Sequence, residues 1–97
     1  MATYILLLHF TDQGIRNVKE TTRRAEAFKG MANKAGATVK DVYWTLGQYD
    51  GALILEAPDE ATATALGLSL GSLANVRSET LRAFSAEEIG SMLSRMA

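Results

Sequence analysis

Apolar residues crowd into the first ten positions. Thr3 to Phe10 reads TYILLLHF, a short aromatic and branched run that predicts a β-strand. Its two faces, Tyr4, Leu6, Leu8, Phe10 and Thr3, Ile5, Leu7, His9, are both mostly apolar. A strand of that kind is a central one, covered on each side. Thr11-Asp12-Gln13-Gly14 breaks the run, and helical spacing follows. Ile15, Val18, Thr22, Ala25, Phe28, Ala32 and Ala35 fall three and four apart on one stripe. The other face is charged, and Glu20 with Arg24 forms an i,i+4 pair worth about 0.3–0.5 kcal/mol. The regular helix is expected from near Thr21, after a short first turn, and Gly36 suits its C-terminal stop.

Ala37 to Leu46 alternates: Val39, Asp41, Tyr43, Thr45 against Lys40, Val42, Trp44, Leu46. That predicts an edge strand. Gly47 to Gly51 is the turn, and Ala52 to Ala57 (ALILEA) is a third strand, apolar on both faces. Pro58 suits the first position of a helix that runs to about Ser72, with Asp59 and Glu60 complementing its dipole. Val76 to Phe84 reads as the other edge strand. Ser85 and Glu88 have the spacing of a capping box, which opens a short amphipathic helix carrying Ile89, Met92, Leu93 and Met96. The order β-α-β-β-α-β plus a terminal helix is the ferredoxin-like arrangement, an α+β fold with one four-stranded antiparallel sheet. Its first and third strands lie in the middle, where the two doubly apolar strands belong.

Composition narrows the picture. A chain of 97 residues is one domain, taken as residues 1–97, and 47% apolar with 22% charged is an ordinary globular balance. Ten basic against eleven acidic residues leave a net charge of −1, so no field draws the protein to nucleic acid or to an anionic membrane. The absence of cysteine excludes disulfides, thiolate metal sites and cysteine nucleophiles, and a single histidine excludes two-histidine metal motifs. No metal or other cofactor is expected. No secretory signal is visible. The longest uncharged stretch, Ala61 to Val76, is too short and polar to span a membrane. A cytoplasmic protein is the expectation.

The apolar surface exceeds what one domain of this type covers. Both helices pack on one face of such a sheet. Leaving four residues such as Tyr4, Leu6, Leu8 and Phe10 in water forfeits roughly 1.5–3 kcal/mol each. The helix after Pro58 is apolar all round, with no charge after Glu60. Both features predict self-association, a homodimer through the sheet faces at least and a larger homo-oligomer if the second helix takes part.

Gly47-Gln48-Tyr49-Asp50, set between two strands, resembles the motif that names the GYD family of small bacterial and archaeal proteins. Tyr4-Ile5-Leu6-Leu7 with Thr11-Asp12-Gln13-Gly14, Glu56-Ala57-Pro58-Asp59, and Thr80-Leu81-Arg82-Ala83-Phe84 before Glu87-Glu88 are similar to that family in the same order. The resemblance implies a dimeric α+β barrel, in which two ferredoxin-like sheets face each other. It implies little about activity, because related barrels include cofactor-independent monooxygenases, haem-degrading enzymes, isomerases and ligand sensors.

Five residues are candidates for a ligand site. Tyr49 and Asp50 place a phenol beside a carboxylate at a sheet mouth, where they can orient a ligand or relay a proton; a carboxylate there also caps turn amides. Histidine is the residue type suited to proton transfer near neutrality, and the single histidine, His9, is a general base, a haem ligand or a half-buried histidine bonded to a backbone carbonyl. Arg82 is an anion anchor if it faces inward with Glu56, or one half of a structural ion pair. Of Trp44 and Tyr43, one is expected in the core and the other at a pocket rim or subunit contact. The leading expectation is binding of a small apolar or aromatic ligand in a pocket of an oligomeric α+β barrel, and two function classes stay open: a cofactor-independent, monooxygenase-like enzyme whose apolar pocket holds an aromatic or quinone-like substrate, and a non-enzymatic ligand-binding, assembly or sensor module.

Overall fold

Alternation of side chains sets one face of each strand against two helices. The computed structural model describes residues 1–97. It runs β1 (Ala2–Phe10), α1 (Asp12–Arg16), a single 3₁₀ turn (Val18–Glu20), α2 (Thr21–Lys34), β2 (Thr38–Trp44), β3 (Gly51–Ala57), α3 (Glu60–Ser72), β4 (Val76–Ala83) and α4 (Ala86–Leu93). The strands form one antiparallel sheet in the order β2-β3-β1-β4. The two doubly apolar strands are the central ones, and the fold is ferredoxin-like α+β.

The core lies between the sheet and the helix pair α2 and α3. Tyr4, Leu6, Leu53, Leu55 and Ala57 from the sheet meet Phe28 and Ala32 of α2 and Ala63 and Leu66 of α3. This corrects the expectation about β1. The face of Tyr4 and Leu6 is the covered one, with Leu8 packed against the same core. The open face belongs to its alternates Thr3, Ile5, Leu7 and His9, all half-buried within the chain. In register beside them stand Ala52 and Ile54 of β3 and Glu79 and Leu81 of β4.

A β-bulge alters β2. The register shifts between Val39 and Asp41, so Val39 pairs with Leu55 and Val42 with Leu53. Both valines therefore lie on the helix side, although strict alternation separates them. Trp44 also takes the helix side, and Tyr43, opposite Ala52, takes the open one. Neither aromatic is in the core, since both stay about half exposed.

The helices differ from expectation in detail. α1 ends at Arg16, and a break at Asn17 takes Ile15 off the α2 stripe into solvent. Glu20 pairs with Arg23 at 3.1 Å, not with Arg24. Gly36, at φ +82°, follows the end of α2 as expected. Pro58 precedes the α3 cap and is not its first helical residue. Asp59 is the cap, its carboxylate accepting the Thr62 amide at 2.8 Å, and hydrogen bonding from Thr62, first its side chain and then its amide, holds the carboxyl below its usual range. The α4 capping box forms as expected, and the Ser85 amide lowers the Glu88 carboxyl. α3 is buried on one side only; Ala63 and Leu66 face the core while Leu68 is 71% exposed. α4 leaves Ile89, Met92 and Leu93 uncovered.

Candidate functional site

The tip of β1 and the β2–β3 hairpin meet at one end of the sheet. Gly47, at φ +107°, lets the hairpin turn. Thr45 closes it, its amide donating to the Asp50 carbonyl and its hydroxyl to the Tyr49 carbonyl. Asp50 then fastens the hairpin to β1. Its amide donates to the Leu8 carbonyl at 2.8 Å, and its carboxylate Oδ2 accepts the Phe10 amide at 2.8 Å. Gly51 eases the close approach of β2, because a β-carbon there would sit 3.0 Å from the Tyr43 carbonyl oxygen, a tight contact.

Tyr49 points the other way from Asp50. Its ring lies against His9 on the open face, centroids 4.7 Å apart and tilted by 39°. Its hydroxyl donates to Glu79 Oε2 at 3.1 Å. That hydrogen bond and the negative charge of Glu79 push the phenol pKa up, so Tyr49 is a neutral donor near neutrality and not a phenolate base. The expected phenol–carboxylate pair exists, but Glu79 supplies the carboxylate. Sequence spacing hides this partner, because thirty residues separate the two and strand pairing alone joins them.

On the helix side the same end of the sheet holds a partly open cavity of about 120 Å³. Its wall is apolar, with Leu8, Phe28, Met31, Leu53 and Leu70 among the lining residues. Trp44 and Asp50 border it, together with Thr21 and Arg24, which sequence reasoning did not single out. The Trp44 indole N–H donates to Thr21 Oγ at 3.0 Å, bracing the ring across to α2.

Arg82 joins neither group. It pairs in register with Tyr4 on the helix side, whereas Glu56 faces the open side. Its guanidinium lies 5.5 Å from the Tyr4 ring centroid and 4.4 Å from that of Phe84. It donates to the carbonyls of Thr3 and Ala83 and pairs with Glu88 at 3.4 Å. Arg82 thus joins α4 to the end of the sheet, and Glu56 instead sits 3.9 Å from Lys40. Five candidates therefore resolve into His9 with Tyr49 on the open face, Trp44 with Asp50 on the helix side, and Arg82 on the helix side at the other end of the sheet.

Comparison with known proteins agrees with this architecture. The glutamine synthetase and cystathionine beta-lyase binding protein of Thermus thermophilus is 33% identical over 90 residues, covering 92% of this chain and 95% of that one. The crystal structure of TTHA0845, also from Thermus thermophilus, superposes with a TM-score of 0.58 at 25% identity, over 89% of this chain and 96% of that one. The leucine response regulatory protein of Mycobacterium tuberculosis shares the fold at 13% identity and a TM-score of 0.67, over 88% of this chain. The match spans about half of that longer protein, 51%. No helix of the present chain is long and apolar enough to cross a membrane. The model of the GYD domain matches residues 4–93, nearly the whole of the ferredoxin-like unit, and the chain belongs to the GYD family.

Proposed function

We propose that this protein is a homo-oligomeric, protein-binding module of the cytoplasm that docks on enzymes of amino-acid metabolism and does not act on nucleic acid. The observation that carries the proposal is the uncovered sheet face. Ile5, Leu7, Ala52 and Ile54 occupy the centre of that face, flanked by exposed Tyr43 and Leu81, and no helix of the chain lies over them. Each large apolar side chain taken fully out of water contributes about 1.5–3 kcal/mol, so a second copy packed sheet to sheet is favoured. The relative's name, a binding protein for glutamine synthetase and cystathionine beta-lyase, supports the choice of partner. The exposed apolar residues of α3 and α4 remain outside such a dimer and are free to meet that partner.

We assign small-ligand binding, the other function expected from the sequence, to the cavity beneath α2, because Trp44 and Asp50 both border it. The tests are direct. Sedimentation velocity at micromolar concentration should give a dimer or larger species; a clean monomer of 10.5 kDa ends the assembly proposal. Purified glutamine synthetase and cystathionine beta-lyase should each bind the immobilised protein saturably, and absence of binding to both ends the partner assignment.

A further inference from the structure

The cavity between α2, α3 and the sheet has a size, a wall and a set of spare donors that together select a ligand. At about 120 Å³ it is slightly smaller than the roughly 150 Å³ apolar cavity that accepts a benzene ring in another protein. One six-membered ring or one branched aliphatic group fills it. Aliphatic and aromatic side chains dominate the wall, so the buried part of the ligand is apolar.

The polar side chains at the cavity include Thr21, Arg24, Asp50 and Asn75, with Arg24 the one cation and Asp50 the one anion. Thr21 Oγ accepts the Trp44 indole N–H. Asp50 accepts the Phe10 amide through Oδ2, which ties its carboxylate to β1. Asn75 Oδ1 accepts from the Gln13 side-chain amide at 3.0 Å. Arg24 differs. It is half-buried, it donates once, to the Gly14 carbonyl at 3.3 Å, and it forms no salt bridge, since Glu20 pairs with its neighbour Arg23. A guanidinium carries five N–H donors in a fork that matches a carboxylate. A fork with donors to spare beside an apolar cavity can hold a carboxylate.

We infer that the helix-side cavity binds a small monocarboxylate, its single ring or branched chain buried among Phe28, Leu53 and Leu70 and its carboxylate held by Arg24. This rests on the cavity being a ligand site and adds the class of ligand and the anchoring residue. The site lies within one subunit, on the opposite side of the sheet from the surface that pairs two copies.

Trp44 is the sole tryptophan and borders the cavity, so its fluorescence reports occupancy. The probes are phenylacetate, its neutral isostere phenylacetamide, and phenethylamine as the cation. Phenylacetate should shift Trp44 emission saturably, with a Kd on the order of 1 mM or below, and raise the melting temperature. Phenylacetamide should bind about tenfold more weakly. Arg24→Gln should remove that preference while leaving phenylacetamide binding unchanged. Ala25→Phe, which fills the cavity, should abolish binding of both; Leu70→Phe is the second filling variant if Ala25→Phe does not fold. Equal binding of acid and amide, or tighter binding of the amine, overturns the carboxylate assignment and leaves the cavity a ligand site. No saturable change with any probe, or binding unaffected by both filling variants, overturns the site itself.

Discussion

The two faces of the sheet are made from the same strands, yet they behave as different materials. On the helix side Leu6, Leu53 and Leu55 are essentially dry, packed against α2 and α3. On the open side Ile5, Leu7 and Ile54, their immediate neighbours in sequence, meet no helix. Hydrophobicity alone does not separate the two sets. What separates them is whether the chain itself supplies the second surface. One face is committed to folding, and the other is the one proposed above for assembly.

Substitutions on neighbouring residues test this division most strongly. Leu6→Asp buries an unpaired charge in the core and costs at least about 3–5 kcal/mol, a large part of a small domain's stability. It should give unfolded protein by circular dichroism. Leu7→Asp, one residue on, should keep native circular dichroism and convert the assembly to monomer in sedimentation. Equal unfolding by both variants would break the comparison, because the open face would then be part of the folding core.

The pair Tyr49 and Asp50 sharpens the same contrast. Asp50→Ala leaves the part-buried Phe10 amide without its acceptor and loosens the hairpin from β1. A loss of about 1–3 kcal/mol is expected, read from urea unfolding. Tyr49→Phe removes a hydroxyl whose bond to Glu79 is exposed, and should leave the melting temperature nearly unchanged. A sharp fall in the melting temperature for Tyr49→Phe would show that the open face contributes to folding after all.

The smallest effect is electrostatic. Glu79 raises the Tyr49 pKa, so the folded state favours the neutral phenol. A group whose pKa is higher folded than unfolded adds stability that is present below the unfolded value, about 10 for tyrosine, and is lost as the pH rises through the folded value. Alkaline titration followed by phenolate absorbance should show one tyrosine titrating late. Glu79→Gln should return it toward the ordinary range, and Tyr49→Phe should delete that transition. An unchanged titration in Glu79→Gln would remove Glu79 as the cause.

Periodicity and local chemistry determined a good deal. The doubly apolar β1 and β3, the glycine stop at Gly36 and the Ser85–Glu88 cap could be read directly, because each depends on neighbours within a few residues. That is why the element order and the ferredoxin-like topology were legible. The shift of β2 at Val39–Asp41 was not, since a bulge is set by pairing with β3 and alternation along β2 gives no sign of it. Nor was the choice of covered face in β1, because both faces are apolar and only the positions of α2 and α3 decide between them. The candidate site was half legible for the same reason. Tyr49 and Asp50 stood out as residues, but their directions, one toward Glu79 and one toward Phe10, come from strands far apart in the chain. Arg24 drew attention only as the partner of Glu20, and packing left it unpaired at the cavity. The sequence by itself determined which segments become strands and helices, through short-range periodicity and capping. Only the tertiary structure decided which apolar face was closed and which charges were left without a partner, because those outcomes depend on distant segments meeting in space.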